Sequence, residues 1–441
     1  MLTIYKTKRF SFELSSIATE SKNRFTAIIG ANGSGKSRLL TDIASSYLQS
    51  HEDISPSRKE TGKVQPSLPT RQTMKNHPAL LVVSNLLTDT FPFTRKVDER
   101  YKYLGHKRNN NMFTTGSLNY LTTSSLLDLL LYPNLFSSYT RMIKKYLDLG
   151  EINFMINGKV SINLEKTISN YLASRNEEHA ENTRRVHKPG FESISSEVLV
   201  DSFALDISEW ANKAISYGSD ISSRFRLSSI SLQELLSICQ NFNVKPSTVY
   251  RMLRQTNSAS IELLVSKKFG SFPVEELSTG EQLLLSTIAR IAANIEPQSL
   301  VLIDEPEVGL HPNWQQKIIV MISEIIPAAY KCHFLLATHS PFVASEAHDI
   351  LIPGSKWGEF IEYPDSVAAR SIDDILYRVF GSTVAGNTAV QRDVQVLLEQ
   401  IAGIESHDKD LIKNSYERLS KIADSDTVEL NSVLQAIARE I

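Results

Sequence analysis

Residues 25–37 read Phe-Thr-Ala-Ile-Ile-Gly-Ala-Asn-Gly-Ser-Gly-Lys-Ser: an apolar run, a glycine-rich turn, then the start of a helical pattern. Within it, Gly30-Ala31-Asn32-Gly33-Ser34-Gly35-Lys36-Ser37 fits G-x-x-x-x-G-K-[ST] in the strand–turn–helix setting that the motif requires. The residue types follow from the chemistry of holding a phosphate. Glycines let successive backbone N–H groups turn toward one anion, and the following helix adds the partial positive charge of its N-terminus. Lys36 then reaches the β- and γ-phosphates of a nucleotide, and the Ser37 hydroxyl ligates Mg²⁺. The helix behind the turn is predicted from Leu39, Leu40, Ile43, Ala44 and Leu48, which share one face at helical spacing. This stretch alone makes ATP with Mg²⁺ the expected ligand.

Further along the chain, Ser299-Leu300-Val301-Leu302-Ile303-Asp304-Glu305-Pro306-Glu307 is a buried strand ending in acids. At the carboxyl edge of a parallel sheet such a pair faces the ligand crevice. Asp304 is expected to hold Mg²⁺, and Glu305 to orient or deprotonate the attacking water. Taken alone, acids after an apolar strand are ordinary solvated loop residues; the glycine loop is what reverses that reading. Glu307 is expected only to start a helix with Pro306.

Leu277-Ser278-Thr279-Gly280-Glu281-Gln282 lies 26 positions before Asp304, a gap that one helix and one strand fill. A serine hydroxyl and a glycine amide at a helix N-terminus make a second anion site. Ser278 and Glu281 also form a capping box, which is compatible with that role. The fourth element is His339 in Ala337-Thr338-His339-Ser340-Pro341, after a strand expected to end near Leu336.

These four elements together resemble the ABC-type ATPases of the SMC, RecF and OLD group. LSTGEQ resembles their signature motif, usually LSGGQ, in its S-x-G-E variant. The resemblance covers roughly residues 1–95 and 262–350, and it implies that Ser278, Thr279, Gly280 and Glu281 bind the γ-phosphate held by a second protomer. A homodimer around two ATP molecules follows, with His339 as a switch histidine that contacts the γ-phosphate. The run DEPEVGLHP, with its turn Leu310-His311-Pro312, resembles the stand-alone ATPases of Septu-type and retron-associated anti-phage systems, as do VVSNLLTDTFPF and YKYLG. That narrower likeness implies a switch subunit regulating a separate HNH-type nuclease. It leaves open DNA contact, direct or through the partner, and assembly beyond a dimer. The alternative is a DNA-repair or DNA-clamping ATPase of the RecF/SMC type. A transporter subunit fits less well, because no Gln follows the strand ALLVVS to couple with membrane helices. Ser84 and Asn85 are the candidates for completing the Mg²⁺ shell there, and no aromatic residue is evidently placed to stack on adenine.

The expected fold class is α/β: an ABC-ATPase (P-loop) sheet split by a helical insert, with a short helical C-terminal region. The boundaries are an N-terminal lobe at 1–95, a mainly helical insert at 96–261, a C-terminal lobe at 262–365 and helices at 366–441. Lys36 and Asp304 lie 268 positions apart, and the insert accounts for that distance. Residues 261–276 read as a hairpin turning at Gly270. With 41% hydrophobic and 22% charged residues and a net charge of −2, the 441-residue chain has an ordinary globular composition without an overall basic field. Cys239 and Cys332 form no CxxC or His/Cys cluster, which argues against zinc and disulfides. No run approaches the about 20 apolar residues that span a bilayer, so a cytoplasmic protein without membrane partners is expected. A helix-turn-helix-like pattern at 234–255 reads better as two insert helices, and the basic residues from Arg58 to Lys75 as a solvated loop. His179 and His187 lack metal-ligand spacing.

Overall fold

The computed structural model describes residues 2, 4–14, 22–51, 77–86, 88–92, 100–106, 117–158, 236, 245–255, 259–268, 270–363, 372–380, 388–402, 407–423 and 428–438. The basic stretch from Arg58 to Lys75, the polar segment with His179 and His187, and nearly all of the 234–244 half of the paired-helix pattern lie outside those residues. In chain order the strands are β1 (Ile4–Lys6), β2 (Ser11–Glu13), β3 (Arg24–Ile29), β4 (Leu80–Ser84), β5 (Tyr101–Tyr103), β6 (Ile152–Gly158), β7 (Ala259–Lys267), β8 (Gly270–Pro273), β9 (Leu300–Asp304), β10 (His333–Thr338), β11 (Asp349–Pro353) and β12 (Glu359–Glu362). Two compact units result. One gathers Met1–Pro92, Glu296–Ser323 and Pro327–Ile441; the other gathers Phe93–Ile295 with Glu324–Ile326. Residues 262–295, which the sequence groups with the C-terminal lobe, therefore cluster with the second unit.

Within the first unit the sheet order is β1-β2-β12-β11-β3-β10-β9-β4. The neighbours from β11 to β4 all pair in parallel. Every residue of β3, β4, β9 and β10 is buried, as continuous apolar strands covered on both faces must be. β10 runs to Thr338 rather than ending at Leu336, because its ladder with β3 continues to the Thr338–Ile29 pair. The helix Lys36–His51 packs on β4, β9 and β10. It buries Leu39, Leu40, Ile43, Ala44 and Tyr47, while Leu48 is only half-buried. At the amino ends of the strands, Arg24 donates to both Asp349 oxygens at 2.5 and 2.9 Å, joining β3 to β11. Thr26 completes that knot, donating to Asp349 Oδ2 at 3.0 Å and meeting His333 Nε2 at 2.9 Å.

The C-terminal helices Ile372–Phe380, Thr388–Ala402, Lys409–Ile422 and Val428–Ile437 bury their own apolar cluster, including Leu397, Leu419 and Ile437. Asp393 sits among them. Arg418 forks onto it with two 2.7 Å bonds, and the Tyr377 and Ser415 hydroxyls donate to it at 2.8 and 3.0 Å.

In the second unit, β6, β7 and β8 form a separate antiparallel sheet. The hairpin expected at 261–276 is β7 and β8, and Gly270 takes the positive φ of 134° that its turn needs. β6 is a strand inside a segment expected to be mainly helical. Its alternating Ile152, Phe154 and Ile156 pair with Val265, Leu263 and Ile261 across the ladder, a long-range match that local pattern does not reveal. Pro133 separates the helices Ser117–Leu129 and Pro133–Leu147 and starts the second of them. Asp128 accepts from both the amide and the hydroxyl of Ser247, at 2.8 and 2.7 Å, and so fixes the start of the helix Pro246–Gln255.

Burial pushes the Asp393 carboxyl up, but the Arg418 ion pair and the Tyr377 and Ser415 hydroxyls outweigh it and hold it below the usual range. Its folded-state pKa is depressed, so its stabilisation is complete above the ordinary Asp value of about 3.9 and is lost as pH falls through the lowered one. Asp393→Ala strands the Arg418 guanidinium. It is expected to cost about 3 kcal/mol in denaturant unfolding near neutral pH, with the gap to wild type narrowing below about pH 4.

Candidate functional site

The site forms where β3, β9 and β10 end side by side. Parallel register sets it: Asp304 of β9 lies opposite Ser84 of β4 and Ala337 of β10, and Thr338 of β10 lies opposite Ile29, the residue before the glycine loop. In the loop, Gly33 and Gly35 have φ of 80° and 96°, the left-handed values that turn amides toward one point. Gly30 is fixed for another reason. A Cβ there would lie 2.9 Å from Pro353 Cγ, at the end of β11. Ala31, Asn32 and Gly33 are exposed, Ser34 and Gly35 half-buried, and Lys36 buried.

Lys36 Nζ donates to the carbonyls of Gly30 at 2.9 Å and Ala31 at 3.2 Å. It also lies 2.9 Å from His339 Nε2 and 3.3 Å from Nδ1. The same Nε2 is 3.0 Å from Glu305 Oε1. A proton on Nε2 gives Glu305 a donor; its absence gives Lys36 an acceptor. Burial and the nearby ammonium both lower the His339 pKa, so the ring is neutral near pH 7. Burial likewise lowers the pKa of Lys36, against the pull of Glu305, Glu307 and Asp304.

Ser37 Oγ donates to Asp304 Oδ1 at 2.8 Å. Burial raises the Asp304 carboxyl to about 6, with the charges of Asp89 and Glu307 adding to the rise and the Ser37 bond opposing it. Glu305 is pushed up by burial and then by the charge and hydrogen bond of Glu307. Two adjacent carboxyls with raised pKa values mark a place short of positive charge. The oxygens of Ser37 and Asp304 are the hard donors that Mg²⁺ prefers. The Ser34 hydroxyl is buried without a hydrogen-bond partner in the glycine loop, which is what a loop awaiting phosphate oxygens would leave. The residues present therefore fit a nucleotide phosphate and a divalent cation.

Glu305 holds φ of 50°, a left-handed conformation that costs a non-glycine residue energy and persists only where its surroundings enforce it. Here its amide extends the β9–β10 ladder by bonding to the Ala337 carbonyl at 2.9 Å, and the chain then folds back through a turn at 306–309. Glu307 does not start a helix as the sequence suggests. Instead its Oε1 accepts from the Thr338 hydroxyl at 2.7 Å, the His339 amide at 2.5 Å and the Ser340 amide at 3.0 Å. Gln315 makes a second brace, accepting from Ser340 Oγ at 2.7 Å and donating to the Leu310 carbonyl at 2.9 Å. The carboxylate thus caps the loop after β10 and sets the position of His339. Neither brace has a sequence signal, since each joins residues of two separate strand-end loops. From the segment after β4, Ser84 is buried and bonded to the Leu86 amide at 3.2 Å, while the charge that reaches Asp304 is that of Asp89.

The signature residues belong to the second unit. Ser278 caps the helix Thr279–Asn294, and its capping box with Glu281 is present in both directions. Glu281 also accepts from Lys267 Nζ at 3.0 Å. Burial raises the Glu281 carboxyl, and the Lys267 and Ser278 bonds outweigh it and hold it low. Ser278 and Thr279 are exposed and Gly280 is buried, while the Ser278 hydroxyl is engaged with Glu281, donating to Oε2 at 2.8 Å and accepting from its amide at 3.3 Å. Among the described residues there is no cluster of three or more His, Cys, Asp or Glu arranged to hold a metal, and no helix long and apolar enough to cross a membrane.

Glu307→Ala leaves three donors without their acceptor. It is expected to cost about 1–3 kcal/mol in unfolding free energy for lost hydrogen bonds. Turnover should fall further than nucleotide affinity, because His339 loses its support while the loop amides do not; unchanged stability and turnover would remove Glu307 from this role.

Residues 137–345 match the family described as AAA domain, putative AbiEii toxin, Type IV TA system. The match takes in the signature, the strand-end acids and His339, and begins after the glycine loop. A retron Ec83 probable ATPase from Escherichia coli is 32% identical over 133 residues, 28% of this chain and 24% of that protein. The Septu protein PtuA from Bacillus thuringiensis is 24% identical over 187 residues, 39% of this chain and 42% of that one. The chain thus spans about a quarter and about two fifths of the length of these relatives. A solved Smc head domain from Pyrococcus furiosus, with its coiled coil and bound to the C-terminal domain of ScpA, aligns over 83% of this chain and 96% of that one, at 13% identity and a TM-score of 0.30. The glycine loop and the strand-end acids lie at the carboxyl ends of strands in one parallel run, and the chain is similar in part to that AAA domain, to a retron probable ATPase and to a Septu protein.

Proposed function

We propose that the chain binds and hydrolyses ATP with Mg²⁺, and that hydrolysis times the closure of a homodimer which regulates a partner nuclease in anti-phage defence. The observation that carries the reading is the hydrogen-bonded set Lys36, His339, Glu305 and Ser37–Asp304 at the carboxyl ends of β3 and β9 and just beyond β10. The phosphates of ATP enter the loop of Gly30 to Ser37, whose amides and Ser34 hydroxyl receive them. Lys36 then exchanges the Gly30 and Ala31 carbonyls for phosphate oxygens, so that its ammonium meets an anionic acceptor in place of a neutral one. Ser37 and Asp304 would hold Mg²⁺, which when bound neutralises phosphate charge and so favours attack at the γ-phosphorus. Once His339 turns its ring N–H from Glu305 to the γ-phosphate, Glu305 is free to orient a water and take its proton. Water exclusion and transition-state charge stabilisation account for most of such a rate enhancement.

Ser278, with the amides of Thr279, Gly280 and Glu281, offers an anion site at a helix N-terminus. In the dimer this site takes the γ-phosphate held by the other protomer, so closure follows ATP and opening follows its loss. The likeness to the retron and Septu ATPases supports the defence setting and the partner, an HNH-type nuclease.

Glu305→Gln keeps the shape and removes the base. Turnover is expected to fall by at least roughly a hundredfold, the scale of general-base catalysis, with ATP affinity kept and a dimer accumulating in ATP by light scattering. Unchanged turnover would sink the assignment of Glu305. Affinity purification of the tagged chain from its own host tests the partner separately: a small stoichiometric nuclease is expected, and DNA alone, released steeply by salt, would replace this reading with a DNA-clamping ATPase.

A further inference from the structure

The helix Thr279–Asn294 begins in acidic surroundings. From Gly270 to Thr287 the chain carries Glu275, Glu276 and Glu281 and no lysine or arginine. Glu275 and Glu276 lie exposed on the turn before Leu277, and Glu281 lies in the first turn of the helix. Carboxylates suit the positive end of a helix, but they repel a second anion that arrives there. A phosphate reaching Ser278 therefore needs a compensating charge, which this stretch of chain does not supply.

Strand β7 brings one. Lys267 is its last residue, paired with Gly270 where the hairpin turns, and its Nζ lies 3.0 Å from Glu281 Oε1. The two side chains are 36% and 12% exposed, so the pair is partly withdrawn from water. The ammonium also lies 5.8 Å from the centre of the Phe272 ring on β8. The neighbouring Lys268 turns elsewhere, 3.7 Å from Asp148. Glu281 Oε2 is occupied separately, accepting from the Ser278 amide at 2.9 Å and the Ser278 hydroxyl at 2.8 Å. One carboxylate oxygen thus faces the lysine while the other holds the cap.

That division decides what the Ser278 hydroxyl can do. To donate to a phosphate it must turn its hydrogen away from Glu281 Oε2. The carboxylate then keeps the Ser278 amide on Oε2 and Lys267 on Oε1, so it stays bonded at both oxygens and does not move. Without Lys267, the same turn leaves an uncompensated carboxylate beside the incoming phosphate. We propose that Lys267 is a positioning residue for the signature helix: by neutralising and holding Glu281, it lets Ser278 exchange its cap partner for the phosphate of a second protomer. The inference rests on the dimer reading above and adds to it a residue outside the run Leu277 to Gln282.

The test uses the full chain carrying Glu305→Gln, in which ATP dimers accumulate, with light scattering across protein concentration in Mg²⁺ and ATP. Lys267→Met is expected to raise the dimer dissociation constant about tenfold, a screened fraction of the repulsion between neighbouring like charges. The affinity of the dilute monomer for a fluorescent ATP analogue should not change, because that nucleotide sits in the protomer's own glycine loop. Lys267→Arg should keep the dimer. Removing the acid separates charge compensation from packing. In the Glu281→Gln background, where the amide oxygen still serves the cap, Lys267→Met should change the dimer constant by less than about twofold. The proposal is overturned if Lys267→Met dimerises as its parent does, weakens the dimer equally in the Glu281→Gln background, or lowers monomer ATP affinity by the same factor. If Ser278→Ala dimerises as its parent does, or the Glu305→Gln chain forms no dimer in ATP, it is the dimer reading that fails, and the role of Lys267 fails with it.

Discussion

The register of β9 between β4 and β10 is the constraint on which the rest of the site depends. Because Asp304 stands opposite Ala337, and Thr338 opposite Ile29, three loops leave the sheet at one level. Each loop then contributes what its residues allow: amides and an ammonium after β3, carboxylates after β9, an imidazole after β10. A shift of one residue in β9 would move Asp304 to the other face of the sheet and separate it from Ser37. Full burial of the central strands specifies that register, since any slip would drive Leu302 or Ile303 out of the apolar layers they now fill.

At the strand ends, most of the polar and charged groups bond one another. Lys36 uses the carbonyls of its own loop, Ser37 uses Asp304, and Glu305 uses His339. In the proposed reading, Lys36 exchanges its carbonyls for phosphate and Ser37 with Asp304 takes a cation. The left-handed backbone at Glu305 and the triple acceptor at Glu307 hold the geometry while the exchange occurs. Strain in one residue and a dense brace beside it are complementary, because the brace keeps the strained turn from relaxing.

The two polar knots away from the site serve packing. Arg24 with Asp349 joins neighbouring strands at the opposite edge of the sheet, and Arg418 with Asp393 joins the C-terminal helices. Both are bidentate and supported by hydroxyls, which is how a buried ion pair meets its desolvation cost.

The sequence by itself determined the elements whose signal is local. The glycine loop, the apolar strands β3, β4 and β9, the Ser278–Glu281 cap and the hairpin at Gly270 each depend on a few consecutive residues, and backbone sterics or alternation makes them legible. The tertiary structure alone decided the rest. Glu307 became a brace for the loop after β10, β6 became a strand by meeting β7, and Asp89 came within electrostatic reach of Asp304. Phe10 and Trp357, far apart in the chain, met beside Gly35. These outcomes are contacts between distant segments, and their energy exists only once the sheet has closed. No window of the chain contains both partners, so no local pattern could have shown them.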